Sequence, residues 1–360
     1  AGGRRDAVSP RAPEDDAAYG AAYGIVLSSR VRLARNLRGL PFPDRAPPEV
    51  RAEVRRRVQA AARAALPFQE LLADAPPLRR QMLFEDHLIS RHLLEDRPEA
   101  ALCLNEARTQ SVMINEEDHL RIQALRPGLA LREAWTDADA LDDALEAQLD
   151  YAFSSSLGYL TSCPTNVGTG MRASAMMHLP GLVLQNEMEA IANGLGKIGL
   201  TVRGRWGEGT AALGHMFQVS NQLTLGVAEN RILADLEEIV KEIAEHERNA
   251  RERLKRERRI FVEDLAARAR GLLASARLMT AQEALERLSE VRLGIALGLV
   301  KGIAMPQVDR LLLEVQPAHL QSAAGRLMGT EERDAARAAR LRAELGRRPP
   351  AKPKSEKRNP

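Results

Sequence analysis

YLTSCPTNVGTGMRASAMMHLPG, the stretch from Tyr159 to Gly181, brings a cysteine, two prolines, three glycines and an arginine together within 23 residues. Glycine and proline at this density predict a tight turn. A helix is expected to begin near Arg172, so the structural interpretation is a turn between a strand and a helix. A cysteine and an arginine on one turn-rich loop also suggest a chemical role, and the remainder of the chain decides between these two interpretations.

The composition indicates a large apolar core and more than one domain. The chain has 360 residues, of which 44% are apolar and 3% aromatic, and this length suggests two domains, or one large domain with an appendage. The formal net charge of +3 gives no argument for direct binding of nucleic acid. No apolar run approaches the roughly 18 residues of a membrane helix, and we expect no signal peptide because the N-terminus lacks an apolar segment.

Cysteine usage points to a reducing environment. Cys103 and Cys163 are the only two cysteines, and two thiols far apart in sequence make neither a disulfide framework nor a zinc site. A cytoplasmic setting is the simplest interpretation. Cys103 lies in an apolar run and is expected in the core, whereas Cys163 belongs to the loop quoted above.

The pattern of the chain changes near residue 230. Before that point, strands are predicted in YGIVLSSRVRLARN, IGLTVRG and MFQVSNQLTLG, and a hairpin is predicted within residues 99–115. Beyond it, almost every residue is predicted to be helical. We therefore predict a flexible N-terminus over residues 1–22, a mixed α/β domain over 23–250, a helical domain over 251–345 and a disordered tail over 346–360.

One apparent nucleotide-binding motif is rejected. GLGKIG, from Gly194 to Gly199, matches the glycine spacing of dinucleotide-binding loops, but that motif needs a strand before it and a helix after it. Here an apparent helix precedes the glycines and a strand follows them, so we predict a helix end and a turn. The sequence also contains no phosphate-binding P-loop motif.

Two loops carry acidic residues after predicted strands. NEEDHLR, from Asn115 to Arg121, is typical of a helix start with Asn115 as its cap; alternatively, it supplies a carboxylate that binds or deprotonates a cationic substrate. RGRWGEGT, from Arg203 to Thr210, is compatible with a hairpin or a strand exit. Alternatively, the glycines around Glu208 let its carboxylate approach a ligand closely.

Four polar loops that leave strands or hairpins are expected to converge. They are Ser28–Arg32, Asn115–Arg121, Cys163–Arg172 and Arg203–Glu208. Clustered arginines indicate a polyanion such as a triphosphate, and carboxylates that face it indicate a cationic acceptor. This arrangement is typical of a phosphoryl transferase that works by positioning and charge neutralisation. The loops supply Arg30, Arg32, Arg121, Arg172 and Arg203, with Glu117 and Glu208.

The sequence resembles the phosphagen (guanidino) kinases. Five motifs carry the resemblance in order over roughly residues 24–250: SSRVRLARN, FEDHLIS, INEEDHLR, TSCPTNVGTGMRA and RGRWGEGTAALGHMFQVSN. The resemblance implies an α+β fold, in which helices flank an antiparallel sheet in a catalytic domain that is followed by a helical C-terminal domain. It also implies ATP as the phosphoryl donor, with Mg²⁺ bridging the phosphates and no dedicated metal ligands visible in the sequence.

The resemblance also implies residue roles. Glu117 and Glu208 would grip the acceptor guanidinium, and Cys163 would be the reactive cysteine, whose thiolate nearby arginines would favour. One of the two glutamates would remove a proton as the N–P bond forms; either can serve, and we choose Glu117 as the base. The glycines of its loop would let backbone N–H groups approach the anion. His87 would lie against the adenine; otherwise it is a half-buried helix histidine. The implied ATP contacts are Ser28, Ser29, Arg30, Val31, Arg32, His87, Arg121, Arg172, Ala173, Ser174, Ala175, Met176, Arg203, Gly204, Arg205, Trp206, Gly207 and Glu208.

Within that superfamily, the sequence is most similar to the bacterial protein arginine kinases of the Clp stress system. Only about two dozen residues precede VLSSRVRLARN, and a helical segment follows the catalytic motifs. RDAARA, from Arg333 to Ala338, matches a phosphoarginine-binding motif of those kinases, in which Arg333, Asp334 and Arg337 would hold the ligand. Taken alone, this hexapeptide is typical of a charged helix face.

This resemblance implies transfer of the γ-phosphoryl group of ATP to arginine side chains of proteins, which would mark them for degradation by a Clp protease. The implied partners are protein substrates with exposed arginines, a Clp unfoldase, a zinc-finger activator protein, a stress repressor and further copies of the same chain. Two alternatives stay open. One is a kinase of a small guanidino metabolite, and the other is a non-catalytic adaptor that binds phosphoarginine.

Overall fold

The computed structural model describes residues 24–95, 97–204 and 212–346. Over these ranges the chain forms two compact units, the first ending at Leu254 and the second beginning at Lys255. No helix within the described ranges is both long and apolar enough to span a membrane. The predicted flexible N-terminus and, apart from Gly346, the predicted tail lie outside the described residues.

The first unit is built on an eight-stranded sheet with the strand order β2-β3-β4-β5-β1-β8-β10-β9, and every neighbouring pair is antiparallel. A separate two-stranded ribbon joins β6 to β7. The predicted antiparallel sheet is therefore confirmed. The strands are β1 (Val26–Arg35), β2 (Phe68–Leu71), β3 (Ala101–Leu104), β4 (Gln110–Ile114), β5 (Leu120–Pro127), β6 (Phe153–Ser154), β7 (Gly158–Tyr159), β8 (Met171–His178), β9 (Leu200–Gly204) and β10 (Met216–Asn221).

Helices flank this sheet and make up the second unit. Those of the first unit are α1 (Pro48–Ala62), α2 (Pro77–Glu85), α3 (Leu131–Glu146), α4 (Pro180–Leu184), α5 (Met188–Lys197) and α6 (Glu229–Glu257), which runs across the boundary. Those of the second unit are α7 (Arg259–Ser275), α8 (Ala281–Ala296), α9 (Met305–Glu314), α10 (Pro317–Ala324) and α11 (Thr330–Leu345). The helical character predicted beyond residue 230 is confirmed.

The two faces of the sheet differ because strand side chains alternate. One face is apolar: Val31, Ala173 and Val219 lie on neighbouring strands, have no solvent exposure and join a core that includes residues of α1, α3 and α6. Cys103 belongs to this core, as predicted, and burial raises the pKa of its thiol to about 12. The opposite face of the central strands is polar, which leaves it available for a ligand.

The prediction of a helix that begins near Arg172 is wrong, because this segment is the central strand β8. It pairs with β1 on one side and with β10 on the other. Alanine and methionine favour helices in isolation, but Met171, Ala173 and Ala175 alternate with less buried residues and fit the apolar face of the sheet. Tertiary packing therefore overrides the local propensity.

The rejected GLGKIG motif forms a helix end and a turn rather than a phosphate loop. Gly194 and Gly196 lie in the C-terminal part of α5. Gly199 follows the helix with a φ of +76° and leads into β9. The prediction of a helix end and turn is confirmed, although two of the three glycines lie within the helix itself.

Candidate active site

A cavity of about 330 Å³ opens on the polar face of the sheet. Five strands, β5, β1, β8, β10 and β9, and two loops contribute residues to it. Among the described residues, its charged lining comprises five arginines and one glutamate, so its walls are strongly cationic. The lining residues are Arg30, Arg32, Ala34, Glu117, Arg121, Cys163, Thr165, Asn166, Gly170, Arg172, Arg203, Gln218 and Ser220.

Strand register explains why the arginines gather. Arg30 and Arg32 are two apart on β1, and side chains two apart share a face. Arg32 lies directly opposite Arg172 on β8, and Arg121 lies opposite Ala34 of β1. Like charges placed directly opposite one another destabilise a sheet. This arrangement therefore lowers the stability of the fold, and binding of an anion would offset the repulsion.

Apart from Arg121, the cavity arginines have no carboxylate partner among the described residues. Arg30 Nη2 donates to Gln218 Oε1 at 3.3 Å, and Arg172 Nη2 donates to Ser220 Oγ at 3.2 Å. The Nε atoms of Arg32 and Arg172 are buried and have no hydrogen-bond partner among the described residues. Buried polar atoms without partners are unfavourable, and here they indicate where ligand oxygens would bind.

The electrostatics of the cavity confirm this imbalance. Burial, followed by repulsion from Arg121 and Arg172, lowers the pKa of Arg30 to about 10. Burial and then repulsion from neighbouring arginines hold the pKa of Arg32 well below its usual range. The pKa of Arg172 is also lowered, mainly by burial and by Arg203. An anion in the cavity would reverse these shifts because it stabilises the charged guanidinium groups.

Arg121 differs from the other arginines because two glutamates hold it. Its Nη1 donates to Glu116 Oε1 at 2.7 Å, and its Nη2 lies 3.2 Å from Glu117 Oε2. The Glu116 side chain is only 3% exposed, whereas that of Glu117 is 33% exposed and lines the cavity. Glu116 therefore anchors Arg121, while Glu117 is left accessible to a cationic ligand.

The interpretation of NEEDHLR (Asn115–Arg121) as a helix start is wrong, because residues 115–119 form the turn between β4 and β5. Asn115 adopts a φ of +54°, and its Nδ2 donates to the carbonyls of Arg51 and Glu99 at 2.9 Å each. Asparagine tolerates this left-handed conformation better than most residues. The turn thereby fixes where Glu117 enters the cavity.

Asp118 connects this turn to the cysteine loop. Its Oδ1 accepts from Asn36 Nδ2 and from the backbone N–H of Ser162, both at 2.7 Å. Asp118 has no solvent exposure, and burial raises the pKa of its carboxyl even though both hydrogen bonds oppose the shift. Asp118, which follows Glu117 in the sequence, therefore positions Ser162, which precedes Cys163.

Cys163 begins a short 3-10 helix, Pro164–Asn166, at the edge of the cavity. Its Sγ lies 3.0 Å from Thr165 Oγ1, and its carbonyl accepts from Thr161 Oγ1 at 2.8 Å. The side chain is partly exposed. The thiol is therefore accessible from the cavity and lies on the loop that also carries Thr165.

The structure gives the glycines Gly168 and Gly170 of this loop a packing role, in addition to the predicted approach of backbone N–H groups to an anion. The Gly168 N–H donates to the Tyr159 carbonyl rather than to an anion, and the residue has a φ of +111°. A Cβ atom there would lie 2.3 Å from the Thr224 carbonyl oxygen. At Gly170, a Cβ would lie 2.6 Å from the Ala34 carbonyl oxygen. Both glycines therefore permit close packing of backbone against backbone.

A buried ion pair supports the far end of the loop. Arg35 Nη2 lies 2.6 Å from Asp142 Oδ2, and Arg35 Nη1 donates to the Thr169 carbonyl at 2.9 Å. The guanidinium carbon also lies 3.5 Å from the centroid of the Tyr159 ring, within cation–π distance. Arg35 is thus a structural residue that joins β1 to the loop, unlike its neighbours Arg30 and Arg32.

Several residues predicted to contact ATP lie elsewhere. Ser29, Val31, Ala173 and Ala175 occupy the alternate positions of β1 and β8 and point to the core side of the sheet, so their side chains cannot face the cavity. Ser28, Ser174, Met176 and Gly204 are not part of the cavity lining. Arg205, Trp206, Gly207 and Glu208 lie outside the described residues.

His87 is also not among the cavity-lining residues. It follows the end of α2 with a φ of +61°, and its carbonyl accepts from Gln123 Nε2 at 2.9 Å. It is half-buried, but it does not lie in a helix. The alternative of a helix histidine is therefore wrong, and its role against an adenine stays a prediction.

Four residues of the site were missed at the sequence level: Ala34, Gln218 and Ser220 line the cavity, and Glu116 holds Arg121. Gln218 and Ser220 alternate with the apolar Phe217 and Val219 on β10, and this alternation places them on the polar face. The signal was present in the sequence, because the strand itself was predicted. Glu116, the anchor of Arg121, is not distinguished from Glu117 by any sequence pattern.

The RDAARA hexapeptide lies on α11 of the second unit. Arg337 is 1% exposed; its Nε donates to the Val315 carbonyl at 2.8 Å, and its Nη1 donates to Asp334 Oδ1 at 2.6 Å. Arg333 Nη1 donates to the Met328 carbonyl at 2.9 Å. Arg333 and Arg337 share one side of the helix because they are four residues apart.

No group of three or more histidine, cysteine, aspartate or glutamate side chains within the described ranges could hold a metal ion. Among the described residues, the cavity lining has a single carboxylate, that of Glu117. Mg²⁺ bound to a nucleotide commonly keeps several waters and takes few protein ligands. The described residues therefore fit a metal that is held mainly by phosphate oxygens.

Comparison with known proteins identifies the family. Residues 50–250 match the family model described as ATP:guanido phosphotransferase, C-terminal catalytic domain, and residues 259–357 match that of the protein-arginine kinase McsB C-terminal domain. Protein-arginine kinase from Moorella thermoacetica is 48% identical over 325 residues, which cover 88% of this chain and 93% of that protein. The corresponding enzyme from Symbiobacterium thermophilum is 49% identical, over 89% of this chain and 93% of that protein.

Solved structures with the same fold are guanidino kinases, in agreement with this family assignment. A lombricine kinase aligns with a TM-score of 0.55 and 27% identity over 62% of this chain and 66% of its own. The substrate-free duplicated taurocyamine kinase from Schistosoma mansoni aligns with a TM-score of 0.56 and 25% identity, over 76% of this chain and 40% of its own. The arginine-lined cavity thus lies in a phosphagen-kinase catalytic fold. The chain belongs to the protein-arginine kinases, which transfer a phosphoryl group from ATP to arginine side chains of proteins.

Proposed function

We propose that the cavity holds the phosphates of ATP against Arg30, Arg32, Arg121, Arg172 and Arg203, and presents a substrate arginine to Glu117. The observation that carries this proposal is the pair of buried Nε atoms, on Arg32 and Arg172, that have no partner among the described residues. A guanidinium offers its donors in a planar fork that matches phosphate oxygens. The lowered pKa values of the same arginines support an anionic ligand.

The chemistry at the acceptor side follows from the properties of arginine. A free guanidinium has a very high pKa, so it is protonated at neutral pH and is a poor nucleophile in that form. Glu117 orients the substrate guanidinium and accepts one of its protons as the N–P bond forms, and Arg121 competes with the substrate for this carboxylate. As the bond to ADP breaks, the arginines neutralise charge on the phosphoryl oxygens and on the leaving group.

Mg²⁺ bound to the nucleotide would supply further neutralisation of phosphate charge. Glu208, which lies outside the described residues, would share the guanidinium with Glu117. Cys163 would contact the same acceptor from the opposite loop, because it lines the cavity together with Glu117. His87 would lie against the adenine.

The wider role rests on resemblance. We propose that phosphorylated proteins are directed to a Clp protease, that a Clp unfoldase, a zinc-finger activator and a stress repressor act as partners, and that the chain forms homo-oligomers in the cytoplasm. Arg333, Asp334 and Arg337 would bind phosphoarginine in the second unit. Their juxtaposition on α11 supports this assignment.

The experiment that tests the acceptor assignment is a labelling assay with Mg-ATP carrying a labelled γ-phosphate, an arginine-rich protein such as casein, and free arginine in parallel. The expected result is an acid-labile label on protein arginine. Label on free arginine alone would favour a kinase of small guanidino metabolites, and the absence of any transfer would favour a phosphoarginine-binding adaptor. Loss of transfer in Glu117→Gln, with nucleotide binding retained, separates the acceptor role from ATP binding.

A further inference from the structure

Exposed apolar side chains are distributed unevenly over the first unit. Among its described residues, six large hydrophobic side chains are exposed, and one of these, Phe68, lies on the edge strand β2. Isolated exposed hydrophobic residues are normal. The other five lie on chain segments that adjoin one another beside the cysteine loop, and groups of exposed apolar residues commonly mark interaction sites. They are Phe153, Leu157, Ile198, Leu223 and Leu225.

Hydrogen bonds join one of these segments directly to the loop that lines the cavity. Thr224, between Leu223 and Leu225, donates through Oγ1 to the carbonyls of Thr165 at 2.9 Å and Val167 at 2.7 Å. Its own carbonyl accepts from the Thr169 N–H at 3.2 Å. Leu223 and Leu225 are 58% and 54% exposed on either side of this anchor.

The remaining members of the cluster are attached in a similar way. The ribbon of β6 and β7 carries Phe153 and Leu157, and the Tyr159 N–H at its end donates to the Gly168 carbonyl at 2.8 Å. Ile198 precedes Gly199, where a Cβ atom would lie 2.8 Å from Leu223 Cδ1. The five apolar side chains therefore flank the cysteine loop from two directions. We refer to them as the apolar rim.

We propose that the apolar rim binds the polypeptide on either side of the target arginine and selects substrates with apolar residues close to that arginine. This inference rests on the proposed function, in which the target guanidinium enters the adjoining cavity past Cys163 and Thr165. A protein-bound arginine brings its own backbone to the cavity entrance, and an extended chain rises about 3.3 Å per residue. Neighbouring substrate side chains must therefore lie over the segments that carry the rim.

The occupant is specified by chemistry. Apolar residues are mostly buried in folded proteins, so an arginine with accessible apolar neighbours is a feature of extended or locally unfolded chains. Contacts with apolar side chains remove apolar surface from water on both molecules. The rim therefore favours unfolded segments over arginines on the charged surface of a folded protein.

Two synthetic peptides test this proposal. Each has a single arginine in an otherwise polar sequence; one has leucine two residues before and after the arginine, and the other has serine at those positions. The full-length kinase should show a higher kcat/KM for the leucine peptide. The double variant Leu223→Ser/Leu225→Ser should lower the ratio of the two kcat/KM values by about tenfold. The matched control Phe68→Ser, at the edge strand β2, should leave the ratio unchanged.

A variant that introduces a negative charge gives an independent test that does not depend on losing a contact. Leu225→Glu should improve phosphorylation of a third peptide, with lysine in place of serine, relative to the serine peptide. Thermal unfolding of each variant establishes that it is folded. Equal kcat/KM values for leucine and serine peptides in the wild type, or an unchanged ratio in both variants, would overturn the proposal.

A second copy of the chain is the competing occupant. If the double variant weakens self-association in sedimentation experiments while the peptide ratio stays the same, the rim is an interface between copies and the proposal is wrong. A different result would show that the proposed role of Glu117 in phosphoryl transfer is wrong. In that case Glu117→Gln would phosphorylate both peptides as fast as the wild type, whatever happens to the ratio.

Discussion

At the residue scale, Arg32 carries a positive charge that lowers stability in the absence of nucleotide. Its pKa is lowered by burial and by neighbouring arginines, so its charged form is less stable in the folded than in the unfolded state. This penalty is fully present below the lowered folded-state pKa and declines as the pH rises from there to the unfolded-state pKa. A residue kept under these conditions serves ligand binding rather than folding.

We therefore expect Arg32→Met to raise the melting temperature of the nucleotide-free protein by roughly 2–4 °C. The same variant should lose most of the stabilisation that a non-hydrolysable ATP analogue gives to the wild type. Calorimetry with and without the analogue measures both effects. Arg38→Met is the matched control, because Arg38 lies on the surface and pairs with Asp150 at 3.2 Å. A lower melting temperature for Arg32→Met would contradict this account.

Glu117 is the other residue whose contribution can be isolated. Glu117→Gln keeps the size of the side chain but removes the charge that orients the guanidinium and accepts its proton. We expect kcat to fall by about 10²-fold or more, with a small change in stability since the residue lies on a turn and is partly exposed. Steady-state kinetics measure the effect. Glu106→Gln, at the exposed tip of the β3–β4 hairpin, should retain wild-type turnover.

At the scale of elements, the site depends on how turns are tied to strands. Asp118 Oδ1 accepts hydrogen bonds from both the Ser162 N–H and Asn36 Nδ2. Asp118 Oδ2 is buried and has no hydrogen-bond partner among the described residues. An asparagine side chain at this position would keep the accepting oxygen and lack the charge. Because burial raises the pKa of Asp118, any stability from this carboxyl is present at low pH and is lost as the pH rises through the folded-state pKa.

Asp118→Asn should thus fold at neutral pH with at least wild-type stability and keep most of its kinase activity. Asp118→Ala leaves the Ser162 N–H and Asn36 without an acceptor, and we expect a loss of about 2–3 kcal/mol and a larger fall in kcat than in ATP affinity. Denaturant unfolding and steady-state kinetics on both variants separate position from charge. An inactive but stable Asp118→Asn variant would show that the charge of Asp118 itself takes part in catalysis.

The elements also show what a sequence can and cannot specify. The strands β1, β9 and β10 and the β3–β4 hairpin were predictable because apolar and polar residues alternate in them, and family motifs marked the arginines. β8 was not predictable from its residues, since alanine and methionine suit a helix and only its neighbours β1 and β10 make it a strand. The pairing of Arg35 with Asp142 joins residues 107 positions apart, and no local pattern specifies it.

At the scale of the whole molecule, a catalytic unit and a helical unit each carry arginines, but in different environments. The arginines of the cavity lack carboxylate partners among the described residues, with the exception of Arg121. In the second unit, Arg337 is buried and donates to the carbonyls of Val315 and Met279 as well as to Asp334. Arg337 therefore supports the fold of its unit, and its removal would confuse loss of folding with loss of binding.

Arg333 is the better probe of the proposed phosphoarginine site, because its contacts with the Met328 carbonyl and with Thr330 lie at the start of α11, outside the core. We expect Arg333→Ala to weaken binding of free phosphoarginine by at least about tenfold, since a charge-assisted fork to a phosphoryl group is lost. The melting temperature and the stabilisation by the ATP analogue should stay at wild-type values. Arg340→Ala, on the same helix and paired with Glu314 at 2.8 Å on the surface, is the matched control. Calorimetric titration measures the affinity, and if Arg333→Ala and Arg340→Ala bind phosphoarginine as well as the wild type, RDAARA is a charged helix face and the ligand binds elsewhere.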